Sequence, residues 1–287
     1  VLLRDVARVV RSHLLDAPYE FEFPRTGRAR WGHTLRVTTW ALRLAVEVGE
    51  RGEAPDPALP PDHAWPPDLA LPPDPRASLD RAHKLLADLM DQPIGPLDLP
   101  SSCHGAPAID VGALATAGII HDVAKYDIRP EDAGLVRHAP RSADFARELL
   151  GRAGDLPRAF VDTVEALVRF HSVDTDAQSD EVLRTFGGRV PVELLLIKDA
   201  DGLDELGAQF IILDAMHLGA EPDPYPAYLV RSAKYLPRLF SQDDRFQTEP
   251  ARRYYRRLTG VVRTFVDSLK EELAGQLWED ELLGESR

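Results

Sequence analysis

The chain has 287 residues, 44% of them hydrophobic and 28% charged, with a net charge of −13. That is enough apolar material for a sizeable core, with no run near the roughly 18 apolar residues of a membrane span. So acidic a surface repels phosphate backbones and opposes broad nucleic-acid binding, yet a buried cation and a few local arginines still permit a small phosphorylated substrate in one pocket.

Strand signals are nearly absent, and the expected fold is all-α. The first stretch, "VLLRDVARVVRSHLL", reads as an amphipathic helix with Leu2, Val6, Val9 and Val10 on one side. Its Arg and Asp make it a poor signal peptide. A single cysteine, Cys103, leaves no disulfide framework and no thiolate zinc cluster, so the cytoplasm is the expected location. A helical period of 3.6 residues then runs over 33–48, 78–91, 108–126, 142–151, 157–171, 190–218, 227–240 and 248–275. Ser78 and Ser142 are read as helix caps. Between the first two of these helices lies 52–76, "GEAPDPALPPDHAWPPDLALPPDPR", where proline blocks helix and sheet alike. It reads as an insertion within a single domain, 1–287, rather than a linker. Residues 227–287 read as a C-terminal helical extension.

The candidate site residues follow in the same order. His33 opens the stripe Val37, Trp40, Leu44 and Val48, so it points inward, either as a core histidine bonded to a carbonyl or as a ligand. His121 and Asp122 close the apolar run "DVGALATAGII". Adjacent helical residues diverge by about 100°, so the pair can share an ion only at a helix junction. A buried Asp needs a partner, and a cation or a helix-end hydrogen bond can supply one. Asp201, in "LLLIKDADGLDELGA", continues the face of Val190, Leu194 and Ile197. Asp199 lies off that face, and Asp204 and Glu205 are placed to act as acceptors behind a ligand. Two imidazoles and two carboxylates on inward faces of three helices suit Mn²⁺, Fe²⁺, Co²⁺, Ni²⁺ or Zn²⁺ better than Ca²⁺, and leave Mg²⁺ open.

The order H…HD…D, with "ATAGIIHDVAK" and "LLIKDADGLDELGA", resembles the HD superfamily of metal-dependent phosphohydrolases over about residues 28–215. The resemblance implies a helical bundle with His33, His121, Asp122 and Asp201 as metal ligands. His138, in "HAPRSADFARELL", and His171, closing "VDTVEALVRFHS", resemble the histidines of members that bind two ions, with Asp122 bridging; both also read as solvated helix ends. The HHE and GYP elements of cyclic-di-GMP members are missing, and so is the HDxxED of guanosine tetraphosphate hydrolases. "HDVAK" is closer to an HD-x-G-K form, with Ala124 in the glycine place.

The implied reaction is attack of metal-bound hydroxide on phosphorus in a nucleotide or other small phosphate ester. Lys125, one turn beyond His121, is a candidate phosphate contact as well as a helix-end cation. Arg30 and Arg36, either side of His33, are candidate substrate contacts at the mouth of the site. The competing reading is a metal-bearing HD module with a regulatory or partner-binding role and little turnover.

Overall fold

The computed structural model describes residues 1–16, 27–51, 75–99, 108–125, 138–172, 175–204, 206–219 and 224–274. Nearly all of the Pro-rich segment, Cys103 and Glu205 fall outside those residues. Within them the chain is helical, with no strand and only two isolated bridges, Leu2 to Pro93 and Asp98 to Asp110. Among the described residues no helix is long and apolar enough to cross a membrane.

Two compact units form. The first comprises residues 1–204 and 245–251; the second, 205–244 and 252–287. The first unit holds α1 (Leu3–Leu15), α2 (Gly27–Arg51), α3 (Pro75–Met90), α4 (Val111–Ile120), α5 (His138–Arg152), α6 (Arg158–Phe170), α7 (Asp180–Thr185) and α8 (Val192–Leu203). Its centre is α4, whose ten residues are all buried and which touches α1, α2, α3, α5, α6 and α8. A helix hydrophobic all round belongs in such a place. Close approach needs small residues: a Cβ on Gly118 would meet Thr38 Oγ1 of α2 at 2.8 Å, and one on Gly112 would meet the Gly95 carbonyl at 2.1 Å. At its start, Asp110 accepts the Ala113 N–H at 2.9 Å and the Leu97 N–H at 3.0 Å.

Several sequence expectations need correction. In α1 the buried stripe is Leu3, Val6, Ala7, Val10 and Leu14, while Val9 is exposed, one helical step of about 100° off the stripe. Ser78 and Ser142 cap nothing, because α3 and α5 begin earlier, at Pro75 and His138. Each is a buried interior residue whose hydroxyl accepts from another segment: Ser78 from Arg43 Nε at 2.9 Å, Ser142 from the Ala124 N–H at 3.1 Å. The stretch 190–218 is not one helix. It breaks after Leu203, where Asp204 turns extended (φ −67°, ψ 151°) and Gly207 takes φ 66°, ψ −133°, a region open essentially to glycine. The short α7 carries too little periodicity to have been read.

The second unit holds α9 (Ala208–Leu218), α10 (Pro224–Phe240) and most of α11 (Glu249–Glu272). Leu218, Tyr228, Leu229, Leu236, Val262 and Val266 make its core.

Candidate metal centre

Five helices of the first unit, α2, α4, α5, α6 and α8, deliver polar side chains to one place. α4 ends at Ile120; the His121 N–H still bonds back to Ala117 O at 2.8 Å, but the Val123 N–H bonds to Ile120 O and the Lys125 N–H to Asp122 O, three residues back. The chain thus leaves α geometry at the His-Asp pair, which lets adjacent side chains address one point. The His121 ring folds back so that Nδ1 lies 2.8 Å from Gly118 O. His171, just past the end of α6, does the same with Val168 O at 2.7 Å. His33 Nδ1 lies 2.7 Å from Asp204 Oδ2. In all three rings an acceptor claims Nδ1, which leaves Nε2 as the lone-pair atom of the neutral imidazole.

Those Nε2 atoms converge on Asp122. His33 Nε2 is 3.3 Å from His121 Nε2, 3.3 Å from Asp122 Oδ2 and 3.5 Å from Asp201 Oδ1. His121 Nε2 is 3.9 Å from Asp122 Oδ2 and 4.0 Å from Asp201 Oδ1. On the other carboxylate oxygen, Asp122 Oδ1, His138 Nε2 stands at 3.2 Å and His171 Nε2 at 3.5 Å. The ligand atoms of each group, His33–His121–Asp122 and Asp122–His138–His171, lie within 4.8 Å of one another.

These groups fit a divalent ion on chemical grounds. Ligand atoms about 2.1 Å from an ion stand roughly 3–3.4 Å apart, close to several of these spacings. Two imidazole lone pairs facing each other at 3.3 Å repel unless a proton or cation lies between them. Asp122 Oδ1 and His171 Nε2 are buried with no hydrogen-bond partner among the described residues. Orphaned buried polar atoms that aim at one another call for a missing partner.

The electrostatics agree. Burial pushes the His121 imidazole down to about 4, outweighing the nearby carboxylates. Burial acts the same way on His33, but hydrogen bonds to Asp122 and Asp204 overcome it and push the group up to about 10. In the metal-free protein one proton on His33 therefore relieves the histidine pair. Burial raises Asp122, yet Lys125, His121 and the His138 and His171 imidazoles facing its carboxylate hold it well below the usual carboxylate range.

Lys125 Nζ lies 2.6 Å from Asp122 Oδ2, with its side chain one-third exposed at 33%. Of the two arginines expected at the mouth of the site, one is buried and the other, Arg36, has a side chain 36% exposed. Arg30 is 4% exposed, so it sits within protein. Arg36 gives Nε to Asp204 Oδ1 at 2.7 Å and Nη2 to Asp204 Oδ2 at 2.8 Å.

Sequence reading missed two residues of α8. Asp199 is buried and accepts the Gln247 and Thr248 N–H groups, at 2.8 and 2.7 Å, and the Thr248 hydroxyl at 2.7 Å. Lys198 gives its ammonium to the carbonyls of Ser172 and Thr175, the second at 2.7 Å, fixing the chain just after His171. The signal was present: a Lys-Asp pair inside an apolar run has to find partners.

A family model described as HD domain matches residues 84–206. That segment of the chain is similar to an HD domain. His121, Asp122, His138, His171, Asp201 and Asp204 lie within the matched segment, and His33 precedes it. A solved structure similar to the chain is that of a predicted HD superfamily hydrolase from an uncultured Thermotogales bacterium. It is 20% identical, with a TM-score of 0.47, over 94% of this chain and 92% of that one. No curated protein matches. Among its described residues the matched segment is helical, and the His/Asp groups it forms, one of them with His33, could hold a divalent metal.

Proposed function

We propose that this chain is a metal-dependent phosphohydrolase acting on a nucleotide or another small phosphate ester. Asp122 carries the reading. Its two oxygens face two different histidine groups, the arrangement expected of a carboxylate shared by two ions. His33, His121, Asp122 and Asp201 would hold one ion, and Asp122, His138 and His171 a second. A bound divalent ion supplies a water of lowered pKa and a Lewis acid for a phosphoryl oxygen.

The protein's own part is placement and charge. The Nδ1 bonds of His33, His121 and His171 keep each ring in one orientation, so the site is organised before substrate arrives. Exposure is uneven: His121 and His171 are fully buried, while side-chain exposure reaches 26% at His138 and 33% at Lys125. The Arg36 side chain is also 36% exposed. This reading brings substrate in where Lys125 and His138 are open. There the Lys125 ammonium meets a phosphoryl oxygen and counters charge that grows on it as the bond to the leaving group lengthens.

The test is phosphate release by chelated protein reloaded with Mn²⁺, Mg²⁺, Co²⁺ or Ni²⁺, against nucleoside mono- and diphosphates, a cyclic dinucleotide and an aryl phosphate. Turnover that returns with one of the ions supports the reading. Protein that takes up ions yet cleaves none of these esters supports instead the metal-bearing module of regulatory or partner-binding role.

A further inference from the structure

The geometry points to Asp204 as a positioning residue for the metal site, with Arg36 as its clamp: together they fix the tautomer and the aim of His33. The inference rests on the metal reading above and deepens it.

Three observations carry it. First, α8 stops at Leu203 and the chain turns extended at Asp204, whose N–H still bonds back to Ala200 O at 3.2 Å. Leaving the helix there swings the carboxylate away from the face that carries Asp201. Asp201 meets the Nε2 side of His33, and Asp204 meets the Nδ1 side. One helix end thus holds both edges of the same ring.

Second, all the strong contacts of Asp204 go to α2. Oδ2 accepts from His33 at 2.7 Å and from Arg36 Nη2 at 2.8 Å, and Oδ1 accepts from Arg36 Nε at 2.7 Å. The side chain is 1% exposed, so these bonds are not shared with bulk water. A planar guanidinium gripping a carboxylate by two parallel bonds fixes its plane as well as its place. His33 and Arg36 are three residues apart on one helical face, which is why one carboxylate reaches both. Arg36 also brings positive charge to the C-terminal end of α8, where the helix dipole favours it.

Third, His33 needs this help more than the other two histidines. His121 and His171 close buried helices and find Nδ1 acceptors in their own backbone, three residues back. His33 lies in the interior of α2, where the carbonyls behind it belong to the helix ladder. Its acceptor has to come from elsewhere, and a carboxylate on the far nitrogen also raises the basicity of the near one.

The experiment is titration of metal-free protein with Zn²⁺ alone and with Mn²⁺ alone, for the wild type, Asp204→Asn, Asp204→Ala and Arg36→Met. Affinity and stoichiometry are read by calorimetry. The His33 Nδ1–H resonance is followed in zinc-loaded, ¹⁵N-labelled protein. The expected result is a 10–100-fold loss of affinity in one equivalent for Asp204→Ala, the range for lost carboxylate support of a histidine ligand. The equivalent assigned to Asp122, His138 and His171 keeps its affinity. Asp204→Asn, which still offers an oxygen to Nδ1, falls between wild type and Ala, and it tests the claim even if the Ala variant fails to fold. The protected Nδ1–H signal is lost in Asp204→Ala and broadened in Arg36→Met. Wild-type affinity in the Asp204 variants overturns the inference, and so does equal weakening of both equivalents, the mark of a merely structural role. If the wild type takes one ion only, lost affinity together with the lost resonance supports the clamp, and unchanged affinity overturns it. A wild type that takes no ion overturns the metal reading itself, a different result from any of these.

Discussion

Asp122 is expensive where it stands, a charged carboxylate only 2% exposed. A buried charge left without compensation costs several kcal/mol, so its surroundings have to return that cost. In the metal-free protein Lys125, His121, His138 and His171 do so. Asp122→Ala should therefore abolish metal uptake at both groups together with turnover, read by elemental analysis and phosphate release. Uptake at wild-type stoichiometry would count against a shared carboxylate. Lys125→Met should lower turnover by about 10²-fold or more, the range for a lost electrostatic stabiliser, with metal content unchanged. A variant that melts earlier but turns over normally would leave Lys125 a helix-end cation only. At this scale the inward faces of His33, His121, Asp122 and Asp201 could be read from periodicity. The fate of Arg36 could not, because spacing says which residues share a face and not which carboxylate from another helix will claim one of them.

Among the elements, α4 and α8 set the geometry. α4 brings the His-Asp pair to the centre of the first unit, and it can do so only because Gly118 lets α2 approach. Gly118→Ala should push a Cβ into Thr38 and destabilise the protein by about 1–3 kcal/mol, read as a fall in melting temperature. An unchanged melting temperature would mean that the two helices have room to separate. Near the start of α8, Glu193 accepts the Asp110 N–H at 2.7 Å; burial holds its carboxyl above the usual range, helped by Asp110 and Asp98 and opposed by that hydrogen bond. A carboxyl raised on folding costs stability above its ordinary pKa, and the cost fades as pH falls and the folded group takes up its proton. Glu193→Gln keeps an acceptor for Asp110 and removes the charge. Its melting temperature should exceed that of the wild type at pH 7, with the gap closing toward pH 4.5 and below. A gap that stays constant with pH would contradict this assignment. Both helices were legible as apolar runs, but the end of α8 was not. The 3.6-residue period continues through Asp204, and only the positive φ at Gly207 and the turn of Asp204 toward α2 break it.

For the whole molecule, the all-helical class followed from the period of the apolar residues and the near absence of strand signals. The division into two units did not, since helical periodicity resumes on both sides of residues 204–207. A ligand that binds only the folded state stabilises it by mass action, by about 2.7 kcal/mol at a hundred times its dissociation constant. Chelation should accordingly lower the melting temperature, and added Mn²⁺ or Zn²⁺ should restore it. A melting temperature indifferent to both would place the ions, if any, on sites that folding does not build. The measurement that bears most directly on the central claim is anomalous diffraction from crystals grown with Mn²⁺, recorded on either side of the metal's absorption edge. The account predicts a peak bounded by His33 Nε2, His121 Nε2, Asp122 Oδ2 and Asp201 Oδ1, with a second between Asp122 Oδ1, His138 and His171 when two ions are held. A crystal of metal-competent protein with no peak at Asp122, or with its manganese bound elsewhere, would contradict it.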